Sequence, residues 1–120
     1  MQLHRFDAAA GRPVTPYGSR FLLAPLADLA GAARAACFHL GPGDLVGRHE
    51  ASARQLFCVV AGSGWVAGRD GAQVQVAAGQ AAAWDRGEPH GAGTETGMTV
   101  VVLEGDGLSV TAPPPAAPPS

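Results

Sequence analysis

Charge is thin along this chain, and bulky side chains are scarcer still. Of 120 residues, 15% are Asp, Glu, Lys or Arg, the net charge is −2 and the pI is about 6.0. No run of like charges occurs, which argues against nucleic acid or a membrane surface as partner. Aromatic residues amount to 6%, against 47% for the apolar set as a whole, much of it alanine. A core made from such residues is filled largely by small side chains, with Phe21, Phe38, Phe57, Trp65 and Trp84 supplying the bulk. No uninterrupted apolar stretch is long enough to cross a bilayer. The N-terminus lacks the basic and apolar segments and the small-residue cleavage site of a secretory signal. Only two cysteines are present, Cys37 and Cys58, without C-x-x-C spacing. Two buried free thiols and a cytoplasmic location are therefore expected, a disulfide being open to them only on adjacent strands. A chain of this length forms one domain whose core needs no disulfide staple.

What is abundant is the punctuation of short strands: 17 glycines and 10 prolines. Gln2 to Phe6 alternates enough for a short strand, and residues 7–19 read as an irregular arm with prolines and glycines. Ser19 to Leu26 suits another strand, ended at Pro25. Asp28 to Ala36 is alanine-rich, but Gly31 interrupts it and it is too short for a stable helix. It is read as a loop entering a strand over Arg34 to Leu40. There Cys37 and His39 share one face while Phe38 and Leu40 share the other. His39 is thus either a cavity residue or a surface histidine, and His4 in the arm is read as solvated. Strands follow at Leu45 to Glu50, at Gln55 to Val60 and, beyond a turn at Gly62-Ser63-Gly64, at Trp65 to Gly68. The last pairs with Ala72 to Val76 across Asp70-Gly71, a strong hairpin signal. Gln80 to Trp84, Met98 to Glu104 and Leu108 to Thr111 complete the set. Many short strands with Gly-rich turns and no amphipathic helix predict an all-β sandwich or barrel. The expected organisation is an arm over residues 1–34, a barrel over 35–111 and a disordered Pro/Ala-rich tail over 112–120.

Two spaced motifs lie inside the barrel segment. In the first, Gly43 is followed after five residues by His49, after one by Ala51, after three by Gln55 and after six by Gly62. In the second, Gly79 is followed after five residues by Asp85, after one by Gly87, after two by His90 and after three by Thr94. In every interval this pair resembles the two motifs of the cupin superfamily. Glycines are common in the chain, but histidines number four, and two of them fall in register. The resemblance implies a double-stranded β-helix, or jelly-roll barrel, a fold of two facing sheets. It covers roughly residues 35–105, with sixteen residues between the motifs, as in compact microbial members.

The resemblance also implies a metal site, and here the residues depart from the pattern. The family places His at His49 and Ala51, Glu at Gln55 and a third His at His90, so one imidazole and the carboxylate are missing. Alternation turns His49 inward with Ala51 and sends Glu50 outward, while Gln55, Phe57 and Val59 share an inward face. His49, Gln55 and His90 are thus the candidate metal ligands, with Phe57 and Val59 as the substrate-facing wall. Such a mixed set suits Fe(II), Mn, Ni, Cu or Zn, and an uncharged one binds a cation less tightly than a set with a carboxylate. Glu50, Asp85 and Glu88 are further possible carboxylates, Glu50 only through a bulge. The alternative is a site without metal, in which His49 or His90 serves as a general base in isomerase, epimerase or lyase chemistry.

Three classes of function follow: a metal-dependent oxygenase, isomerase or cyclase; a metal-free acid–base enzyme; and a non-catalytic ligand-binding module. Each takes a small organic ligand in the barrel. A homodimer is expected, because the segment from Gln2 to Leu26 has little pairing context of its own and unpaired strand edges are a liability.

Overall fold

Short alternating runs become strands wherever a partner edge is in reach, and the computed structural model, describing residues 1–116, contains twelve of them. In chain order they are β1 (Gln2–Arg5), β2 (Arg12–Val14), β3 (Phe21–Leu23), β4 (Ala27–Ala30), β5 (Arg34–Leu40), β6 (Leu45–Glu50), β7 (Gln55–Ala67), β8 (Val74–Ala77), β9 (Gln80–Trp84), β10 (Pro89–Gly93), β11 (Met98–Glu104) and β12 (Gly107–Val110). The helical content is two single 3-10 turns in the arm. The fold is an all-β jelly-roll barrel. One sheet runs β1-β9-β7-β11-β5 and the other β8-β7-β10-β6, all pairs antiparallel.

Strand β7 belongs to both sheets. Gln55 to Gly62 pairs with β11, and Ser63 to Val66 pairs with β8. The glycine-rich stretch expected to be a turn between two strands is therefore a bend within one long strand. Gly62 allows it: its φ is +78°, and a Cβ there would run into the carbonyl of Gly97. The β7–β8 hairpin forms as expected from Asp70-Gly71, with Trp65 opposite Gln75.

Between the sheets lies the main core, which includes Phe57, Val59, Trp84, Met98, Val100 and Val102. A second apolar layer covers the outer face of the β1–β5 sheet, where Leu56, Cys58, Ala81 and Leu108 are buried beneath Phe6, Leu26 and Val110. The β4–β12 pair supplies part of that cover. Ala27 to Ala30 is thus a strand where a loop was expected, because register with β12 gives its backbone a ladder. Phe21, expected in the core, is 53% exposed on the β2–β3 hairpin, which among the described residues forms a two-stranded sheet of its own.

The cysteines flank a common neighbour. Val101 on β11 is opposite Cys37 on β5 and Cys58 on β7, so the two stand two strand spacings apart, about 9–10 Å. That is beyond disulfide reach, and both are free. Cys58 is buried as expected, and burial pushes its thiol pKa up to about 12; Cys37 is exposed instead, being on the open side of an edge strand. At the C-terminal end Ala112 is buried, its carbonyl accepts from His4 Nδ1 at 2.8 Å, and Arg5 N donates to the Pro113 carbonyl. Residues 112 and 113 are therefore tied to β1, whereas 117–120 of the expected tail lie outside the described residues.

Candidate functional site

The site is built on one antiparallel pair, β6 and β10, in which His90 stands directly opposite His49. Directly opposed residues on one face of a pair have neighbouring side chains, and the two imidazole centroids are 4.4 Å apart with the rings tilted at 52°. A register shift opposite His90 to Ala92 puts one extra residue in β6, between Val46 and His49, and so re-aims that strand just before the first ring. The His49 Nδ1–H donates to the Gly47 carbonyl at 2.7 Å, and the His90 Nδ1–H donates to the Glu88 carbonyl at 3.1 Å. Each backbone oxygen fixes its ring's tautomer, so when neutral both rings keep the Nε2 lone pair for something else.

The rings differ in setting. His49 is exposed on the edge strand, while His90 is 3% exposed. Burial is the largest influence on His90 and holds its pKa below the usual imidazole value. The Glu88 carbonyl opposes that, the nearby His49 adds to it, and the charges of Glu88 and Glu104 oppose it again. Trp84 presses on His90 with ring centroids 4.5 Å apart and on Phe57 at 5.6 Å, and Phe57 meets Phe38 edge-on at 6.5 Å. The Trp84 indole N–H is buried without a hydrogen-bond partner among the described residues.

These side chains, with Gln55, Val46, Gly91 and Ala92, line a cavity of about 80 Å³. Larger depressions exist, one of about 450 Å³ beside Arg5 and Gly79 and one of about 200 Å³ beside His4 and Gln55, but neither is lined by two histidines. The structure thus brings His49, Gln55, His90 and Phe57 to one cavity. Val59 is not in its lining; it is fully buried in the main core. His39 is exposed on the opposite face of β5. Glu50 is exposed beside Pro89, with no bulge turning it inward. Ala51 is buried against the turn, its N–H donating to Glu88 O and its carbonyl accepting from Gly87 N. Asp85 is exposed, 3.7 Å from Arg54. Glu88 is buried but engaged, accepting from the Met1 amine and the Asp85 amide. Its burial alone raises the pKa, and those hydrogen bonds reverse the effect to leave it below the usual carboxylate value.

Two lining residues were legible but unassigned. Phe38 shares a face of its strand with Leu40, a face the alternation alone left unassigned, and Trp84 shares the alternation of Ala82. Glu104 was missed altogether: β11 sets it directly opposite Gln55, a fact of register that no local pattern states.

Among the described residues no three His, Cys, Asp or Glu side chains cluster as a metal set. What the cavity does offer is two imidazoles, each anchored through Nδ1 to a backbone oxygen as metal-binding histidines usually are, and the Gln55 amide. That donor set fits a borderline transition metal, with positions left open for a substrate.

Residues 36–110 match the model of the cupin domain. Among curated protein sequences none matches the chain. Solved structures do. A conserved protein of unknown function from Streptococcus pyogenes is 20% identical, with a TM-score of 0.56 over 72% of this chain and 69% of that one. A chain from the structures of two DMSP lyases is 27% identical, with a TM-score of 0.57 over 66% of this chain but only 42% of that one. A variant of the salicylate 1,2-dioxygenase from Pseudoaminobacter salicylatoxidans is 15% identical, with a TM-score of 0.58 over 66% of this chain and 26% of that one.

Proposed function

This chain belongs to the cupin superfamily, and from that premise we propose that it holds a divalent transition metal through His49, Gln55 and His90 and transforms a small organic molecule in the cavity they line. The observation that carries the reading is the facing pair of imidazoles, each with Nδ1 tied to a carbonyl and Nε2 left free. Fe, Mn, Ni, Cu and Zn all suit such a donor set. Bound there, the metal supplies Lewis-acid polarisation of a substrate oxygen. The protein's part is positioning. The depressed pKa of His90 keeps that ring neutral, hence a ligand, near neutral pH. Gln55 brings a carbonyl oxygen, and Phe38, Phe57 and Trp84 limit the ligand's size and exclude water. The lyase and dioxygenase among the structural relatives are consistent with oxygenase, isomerase, cyclase or lyase chemistry on this frame. Titration of metal-free protein with Zn²⁺ and Mn²⁺ by calorimetry, with His49→Ala as control, tests the claim. Binding at one equivalent that the variant loses is expected; no binding by the wild type contradicts it.

One observation favours a second reading. A neutral, buried His90 beside His49 is also the arrangement of a general base, so activity that survives thorough chelation would move the chemistry to the histidines alone. A homodimer belongs to the same proposal. The β2–β3 hairpin leaves Phe21 and Leu22 about half exposed and Tyr17 fully so, and a second copy would cover them. Sedimentation at micromolar concentration checks this, a monomer counting against it. The two free thiols suit a reducing, cytoplasmic setting.

A further inference from the structure

The proposed ligand set carries no negative charge, so a cation in it faces an unbalanced field. The register of the barrel places a carboxylate beside it. Across β5, β11, β7 and β9, the residues Arg34, Glu104, Gln55 and Trp84 form one transverse row. The next inward row across β11, β7 and β9 is Val102, Phe57 and Ala82, all in the main core. Glu104 therefore shares the inward face of Gln55 and stands directly opposite it, where paired side chains have Cβ atoms about 4.5–5.5 Å apart. A depression of about 300 Å³ lined by Arg34, Ala36, Phe38, Val102 and Glu104, together with Ala35, borders the histidine cavity and shares Phe38 with it. The carboxylate thus lines a depression that adjoins the cavity at Phe38.

Its contacts leave it available. Ser52 Oγ donates to Glu104 Oε1 at 2.6 Å, and Arg34 lies 3.8 Å from the same oxygen with a side chain 81% exposed. Oε2 takes no hydrogen bond among the described residues. The other acids near the site are committed or averted: Glu88 to the Met1 amine and the Asp85 amide, Asp85 to Arg54, Glu50 to the opposite face.

We propose that Glu104 is the charge-balancing carboxylate of this site: acting from the strand beside Gln55, without being a ligand in the resting arrangement, it supplies the negative charge that a cation held by His49, Gln55 and His90 requires. This rests on the metal reading above. In cupins with the full motif the charge sits at the position of Gln55; here it is displaced by one strand, to the residue paired with it.

The test is calorimetric titration of metal-free protein with Zn²⁺, comparing wild type with Glu104→Asp, Glu104→Gln and Glu104→Lys, each first shown to be folded by circular dichroism. A charge near the ligands, in a medium of intermediate dielectric, shifts divalent-cation affinity by roughly tenfold. Wild-type and Asp variants should bind alike, Gln roughly tenfold weaker, and Lys weaker still. Affinity equal to wild type in the Gln variant overturns the proposal while leaving the metal reading intact. Equal weakening in Asp and Gln also overturns it, since that would mark a packing role rather than a charge. No binding by wild type or any variant overturns both. Should Glu104→Lys fail to fold, the near-isosteric Gln variant decides alone.

Discussion

The cavity has two walls of opposite character. On one side Phe57, Trp84 and His90 are each 3% exposed or less and touch one another ring to ring. On the other, β6 is an edge strand that, among the described residues, pairs only with β10, and from Gly47 to Glu50 every residue is exposed, His49 included. The buried wall is part of the core, so changing it costs the fold. The open wall contributes a reactive nitrogen and little else, so changing it costs the site. The two histidines look alike in sequence but divide along this line.

The comparison breaks first at the buried wall. Phe57→Ala should destabilise the protein by about 3–5 kcal/mol, measured by urea denaturation; a loss under about 1 kcal/mol would mean that the wall is not load-sharing with the core. Gly62→Ala should follow, at about 1–3 kcal/mol, because it combines a strained φ with a backbone clash where β7 changes sheets.

Acid acts on the same wall. The unfolded imidazole titrates near 6.5, and folded His90 titrates below it. The unfolded chain therefore takes the proton first. This contribution to stability is complete above about pH 6.5 and is lost as pH falls through that value towards the folded pKa. Glu88, lowered from the carboxylate range, adds a loss of the same sign at more acid pH. Denaturation midpoints measured across this window should decline towards acid for the wild type, and less steeply for His90→Gln. At the open wall the effect is smallest. His49→Ala should change stability by less than about 0.5 kcal/mol while removing metal binding, so a large loss of stability would contradict the division.

How much of this could be read from the chain divides along similar lines. Spacing pointed to His49, Gln55 and His90, which line one cavity, because strand parity is local, and the bounds of β5 and β11 match the residues read from the chain. What escaped was set by distant pairing. Ala27 to Ala30 is a strand only because β12 lies alongside. Gly62 looked like a turn because glycine signals a bend without saying whether pairing continues through it. Val59 obeyed the parity of Phe57 yet lies outside the cavity, since parity gives a face and not a depth. Glu104 stands beside Gln55 across a separation of 49 positions, which only the register reveals.

The central claim is that two anchored imidazoles and an amide share one cation, and the most direct test restores the charge the amide lacks. Gln55→Glu keeps the shape and adds a carboxylate within the set. Calorimetric titration with Zn²⁺ should show tighter binding than wild type, by roughly tenfold or more, with a steeper loss towards acid because the new ligand must be deprotonated. No binding by the wild type and none gained by the glutamate would contradict the claim.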